Sequence, residues 1–138
     1  MNGIDTNVLV YAFDFSDPTK QLKAQRLIDD LVADSSAKLL WQVVGEFLNC
    51  LRRWEMQGRI SGQDVESHLD DLLTAFAVVM PTIATVRHSL ELSRRHSLSH
   101  WDSMLLGACI EAGIDTLYSE DLSHGVVYDS VKVMNPFV

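Results

Sequence analysis

The sequence predicts a three-layer α/β fold with a mainly parallel central sheet, and two observations carry that reading. Short apolar segments of strand length recur along the chain, and helix-length stretches separate most of them. One of those stretches carries a clean helical face: Val65, Leu69, Leu72, Leu73 and Phe76 recur at i, i+4, i+7, i+8 and i+11. Strands alternating with helices of this length are joined by crossovers, which make parallel neighbours. No repeat, low-complexity run or linker-like stretch interrupts the pattern, so residues 1–138 are expected to form one domain.

An apolar segment from Gly3 to Phe13 opens the chain, and Asp5-Thr6-Asn7 interrupts it, which leaves its strand boundary open. Ser16-Asp17-Pro18-Thr19 marks a helix start, with proline in the first turn, where its missing N–H is not needed. That helix should run to about Asp34 with Leu22, Ile28, Leu31 and Val32 on its apolar side. Lys38 to Trp41 forms a short buried strand. A second helix spans about Val43 to Gln57 and stops at Gly58. Ser61 and Asp64 form a capping box that opens the third helix. Ala77 to Met80 is a strand ended by Pro81. Thr82 to His96 is a helix carrying Val86, Leu90 and Leu92, broken by Ser97-Leu98-Ser99. Trp101 to Ala112 is a very apolar helix ending at Gly113, and Thr116–Ser119 and Val131–Met134 are the last strands.

The composition is that of an ordinary globular chain, with 47% hydrophobic and 22% charged residues. No apolar run approaches the roughly 20 residues of a membrane span. The N-terminus lacks a basic stretch followed by an apolar one, so a cytoplasmic location is expected. Cys50 and Cys109 form no metal-binding spacing and should be buried thiols. The net charge of −8 runs against a nucleic-acid partner taken alone. A carboxylate cluster built to hold cations would account for part of that charge.

The informative residues are acids among apolar neighbours, because a buried carboxylate demands a partner. Asp5 lies between Gly3-Ile4 and Val8-Leu9-Val10, where it could end a strand on the ligand edge of a parallel sheet or serve as a turn aspartate. Glu46 precedes Phe47-Leu48 and is read in the first turn of its helix, where the helix dipole would also favour it. Asp102 opens an almost wholly apolar helix, and Ser99-His100-Trp101-Asp102 can be read as a capping-box variant. Ser119-Glu120-Asp121 follows a strand directly and could equally be a surface loop. Three or four carboxylates brought to one sheet edge would repel one another, and a divalent cation relieves that repulsion. Oxygen ligands of this kind suit Mg²⁺, with Mn²⁺ as a substitute.

Four segments in order, IDTNVLVY, VVGEFLN, LSHWDSMLLGA and LYSEDLSHG, resemble the PIN domain, and most of all the VapC-type toxins and their relatives. Asn135-Pro136-Phe137 near the C-terminus fits the same pattern. The resemblance implies a Rossmann-like sheet with helices on both sides and a metal-dependent ribonuclease. It implies that Asp5, Glu46, Asp102 and Asp121 form the acidic site, with Ser119 and Asn7 as supporting residues and Glu120 as a flank. It also implies an RNA substrate, a small antitoxin protein that covers the active site, and a homodimer.

Phosphates need positive partners. Lys20, Lys23 and Arg26 share one helix, Arg52-Arg53 follow Glu46, and Arg94-Arg95 precede Asp102. Arg94 and Arg95 are the first candidates for RNA contact by proximity in sequence. His96 and His100 are four apart across a helix break and make a poor metal pair, and Asp14 and Asp17 are expected to cap. The stripe Val65, Leu69, Leu72, Phe76 is either core or a partner surface. Two other classes of function stay in view: a PIN-like module that binds RNA or protein without cutting, and a phosphatase using Asp5. The four acids disfavour the first. Asn7, where such phosphatases carry a second aspartate, disfavours the other.

Overall fold

A computed structural model describes the whole chain, Met1–Val138. Six strands form one sheet in the order β3-β2-β1-β4-β6-β5: β1 is Asn2–Ile4, β2 Ala37–Leu40, β3 Ala77–Val79, β4 Thr116–Tyr118, β5 Val127–Tyr128 and β6 Val131–Met134. All neighbours are parallel except β5, which pairs antiparallel with β6. The helices are α1 Thr6–Phe13, α2 Pro18–Ala33, α3 Trp41–Met56, α4 Gly62–Ala75, α5 Ile83–Arg95 and α6 His100–Glu111. Helix α1 packs on α2 and α3, and α3 on α4, while α5 and α6 pair with each other. The result is the three-layer α/β architecture with a mainly parallel sheet.

The local signals explain most of these elements. The Asp17 side chain accepts from the Lys20 amide and Pro18 follows it, which starts α2. Ser61 and Asp64 form a reciprocal capping box at α4, satisfying two amides that a helix start leaves free. Gly58 (φ 71°) and Gly113 (φ 71°) take the left-handed conformation that ends α3 and α6. The core runs through the sheet and both helical layers: Ile4, Leu39, Phe47, Leu51, Leu106, Leu117 and Val133 are essentially inaccessible. Burying each contributes roughly 2 kcal/mol.

Three expectations are corrected, and one strand is added. Most of the opening segment Gly3–Phe13 is helix, because Asp5 ends β1 and caps α1 at once. Helix α2 buries Ala24 and Leu31, and leaves Leu22 and Val32 exposed. Helix α5 turns inward Thr85, Ser89 and Leu92, and leaves Val86 and Leu90 exposed. Strand β5, only two residues long, gave no signal in the sequence. On α4 and its cap, Val65, Leu72 and Phe76 are buried and Leu69 partly so, which makes that stripe core; Leu73 faces out. No helix is long and apolar enough to cross a membrane.

Candidate active site

Strand β1 delivers Asp5 to the carboxyl edge of the sheet, between β2 and β4. The Asp5 amide donates to the Tyr118 carbonyl at 2.9 Å, which extends the β1–β4 ladder to the residue itself. Its two carboxylate oxygens are held separately: Oδ1 accepts from the Thr6 amide at 2.7 Å, and Oδ2 from the Ser119 hydroxyl at 2.7 Å. Asp5 is 7% exposed and Ser119 fully buried. Burial pushes the Asp5 carboxyl up to about 6; the hydrogen bonds oppose the shift, and the charges of Asp121 and Glu46 add to it.

Glu46 reaches this edge from α3. It is the sixth residue of that helix, beyond the first turn, so attraction to the helix dipole does not explain it. Two side chains aim it: the Thr6 hydroxyl donates to Oε2 at 2.7 Å, and the Gln42 amide donates to Oε1 at 3.0 Å. Sequence reasoning missed both partners, although Thr6 adjoins Asp5 and Gln42 stands one helical turn before Glu46. The Gln42 amide also approaches the Trp101 carbonyl at 3.4 Å, which ties the first turn of α6 to that of α3.

Asp121 follows β4. Its amide donates to the Ser119 hydroxyl at 3.2 Å, so one hydroxyl links Asp121 to Asp5. Asn7 fixes the same segment, its Oδ1 accepting from the Glu120 amide at 3.2 Å, while its Nδ2 is buried without a partner. Glu120 turns to Lys20, whose ammonium also lies 3.2 Å from the Tyr11 hydroxyl and over the Phe137 ring. Lys20 therefore neutralises Glu120 at the flank of the acidic group.

Asp102 sits in the first turn of α6, partly exposed. Ser99 accepts from its amide at 3.2 Å, yet the carboxylate does not return to the Ser99 amide, as Asp64 does to Ser61. Only half a capping box forms, and the Asp102 carboxylate is uncommitted. It makes no hydrogen bond to Asp5, Glu46 or Asp121. The structure brings Asp5, Glu46, Asp121, Ser119 and Asn7 into one linked network, and no hydrogen bond joins Asp102 to it. No three acidic, histidine or cysteine side chains close on a single point.

The remaining candidates lie elsewhere. Arg95 pairs with Asp129 in the turn before β6, at the far end of that strand from Met134, whose carbonyl accepts from the Ser119 amide. His96 joins Arg95 on Asp129 at 3.3 Å. Arg94 is exposed. Behind the site, Cys109 is fully buried; burial and the Asp5 charge push its thiol far above its usual range, so it stays protonated.

An all-oxygen acidic edge on a sheet of this topology defines a class, and comparison with known proteins names it. The family model of the PIN domain matches residues 4–128, and the chain belongs to the PIN domain family. No curated protein matches the sequence. Among solved structures, the fold is similar to VapC20 of Mycobacterium tuberculosis, described as a sarcin-ricin loop cleaving toxin (20% identity, 88% of this chain and 90% of that one, TM-score 0.64). It is also similar to VapBC2 of Rickettsia felis bound to a promoter DNA fragment (14% identity, 97% of each chain, TM-score 0.73). A toxin–antitoxin complex from Klebsiella pneumoniae is a third (14% identity, 99% and 98% covered, TM-score 0.70).

Proposed function

We propose that this chain is a divalent-cation-dependent endoribonuclease and the toxin of a type II toxin–antitoxin pair. The observation that carries the reading is a buried aspartate facing two further carboxylates in a PIN-family fold. Mutual repulsion among Asp5, Asp121 and Glu46 is the condition a cation relieves, and oxygen donors suit Mg²⁺ or Mn²⁺. Asp5, Asp102 and Asp121 would hold the ion directly or through water, with Glu46 completing the site. When bound, the ion lowers the pKa of a water molecule and offsets charge building on the phosphate.

The protein's own residues supply position. Ser119 and the Thr6 amide hold both oxygens of Asp5. Thr6 and Gln42 aim Glu46 to orient the attacking water. Asn7 and Ser119 shape the backbone that presents Asp121. Of the two arginines, Arg94 is the better candidate for phosphate, since Arg95 is engaged by Asp129.

The similar structures include an RNA-cleaving toxin and toxin–antitoxin complexes, which supports an RNA substrate and an antitoxin partner here. A homodimer and a cytoplasmic location belong to the same reading. The exposed apolar residues Ile83, Val86 and Leu90 on α5 offer the dimer a surface. The test is cleavage of a mixed RNA pool by the purified chain with Mn²⁺ or Mg²⁺, with chelator, and with Asp5→Asn and Asp102→Asn. Cutting should need the cation and fall roughly 100-fold or more in each variant. Full activity in both variants would reject the assignment.

A further inference from the structure

We infer that Trp41 and Trp101 form a stacking clamp for an unpaired RNA base beside Glu46. The inference rests on the ribonuclease reading and adds the local form of the substrate. Of the three tryptophans, Trp54 is buried, whereas Trp41 is 52% and Trp101 63% exposed. Both therefore keep more than half of their surface in water, where a flat ligand can reach it. Both stand around one open cavity of about 370 Å³ whose other walls are Gln42, Gly45 and Glu46. Trp41 opens α3 and Trp101 lies in the first turn of α6. Gln42 spans the two elements, donating to Glu46 and to the Trp101 carbonyl. The His100 ring meets the Trp101 indole edge-on at 4.6 Å and so helps to hold it in place.

Gly45 is the second observation. It lies inside α3, where glycine weakens a helix. A Cβ there would meet nothing within 4 Å, so the fold does not require glycine. A bare backbone in the wall of the cavity that both indoles line leaves room for a flat ligand. Charge points the same way. A chain of net charge −8 attracts phosphates weakly, and stacking provides affinity that does not depend on charge. Every base has a face to stack, but bases inside a duplex already use theirs, so the clamp selects single-stranded or looped RNA.

The experiment follows tryptophan fluorescence of the intact chain in chelator, so that nothing is cut. It is titrated with a short single-stranded RNA and with the same strand annealed to its complement. The single strand should quench the two exposed indoles and leave the emission of Trp54, and the duplex should bind at least tenfold more weakly. Trp41→Ala and Trp101→Ala should each weaken single-strand binding about tenfold. Phe at either position should restore most of it, and every variant should still melt in one cooperative transition. Gly45→Leu should block binding without lowering the melting temperature. Wild-type binding in these three variants, or equal binding of duplex, overturns the clamp. So does quenching that follows protein concentration without RNA, which would assign the indoles to a second copy of the chain. If the variants cut RNA as wild type does, the clamp fails and the ribonuclease stands. If the wild-type chain neither binds nor cuts any RNA, both fail.

Discussion

Asp5 is held where a charge is least favoured, and its pH behaviour follows from that. Its carboxyl stands at 3.8 in the unfolded reference and is pushed up to about 6 in the fold, chiefly by burial. A group with a raised folded pKa supports the fold most fully below its unfolded value, and that support is lost as pH rises through the folded value. Without a cation, stability should therefore decline between pH 4 and pH 7. Asp5→Asn removes the titration and keeps a good helix cap for Thr6. We expect the variant to be more stable at pH 7 by about 2 kcal/mol, with a flatter pH profile. Thermal melts across that range measure it, and a variant less stable than wild type at pH 7 would contradict the burial account. Asp5 was legible as a buried acid in the sequence because an acid among apolar residues breaks the hydrophobic pattern. The parts of Thr6, Gln42 and Lys20 were not legible, since an ordinary polar residue gives no sign of which carboxylate it will meet.

Helices α5 and α6 show what an element adds beyond its apolar pattern. Thr82 at the start of α5 donates to Glu111 at the end of α6, so the pair is antiparallel. Between them, Gly107 lies against backbone: a Cβ there would come within 2.9 Å of both the Ser89 amide and the Thr85 carbonyl. Gly107→Ala should force the helices apart and cost about 2 kcal/mol despite the better helix propensity of alanine. Chemical denaturation reads the loss, and unchanged stability would mean the helices are not in such close contact. Ser61→Ala, which removes one half of the α4 capping box, should cost about 1 kcal/mol in the same assay. The buried face of α5 escaped sequence reasoning because Thr85 and Ser89 are inside for their size, which lets backbones approach, and not for their hydrophobicity. Helix α1 escaped for another reason. Its β-branched and aromatic residues suit a strand, and the polar Asp5-Thr6-Asn7 that seemed to interrupt one is the helix cap and first turn. The capping signals at α2 and α4, in contrast, act within four residues and were legible directly.

The alternation of strands and helices over the whole molecule was enough to predict a parallel sheet, and the crossovers then bring residues 5, 46 and 121 to one edge. Which side chains touch there depends on register and rotamer, which periodicity does not encode. The acidic balance of the chain also takes on meaning at this scale, since part of it is concentrated where a cation would sit. If α5 carries a dimer, sedimentation should give twice the 15.5 kDa chain mass, and Val86→Lys should return it to one copy. A wild-type monomer would remove the dimer from the account. The most direct test of the cation site is calorimetric titration of Mn²⁺ into the apo chain at pH 6. Binding should release about half a proton from Asp5, and Asp5→Asn should weaken it at least about tenfold. Heat indistinguishable from dilution in the wild-type chain, or equal affinity in the variant, would contradict the claim that these carboxylates form a metal site.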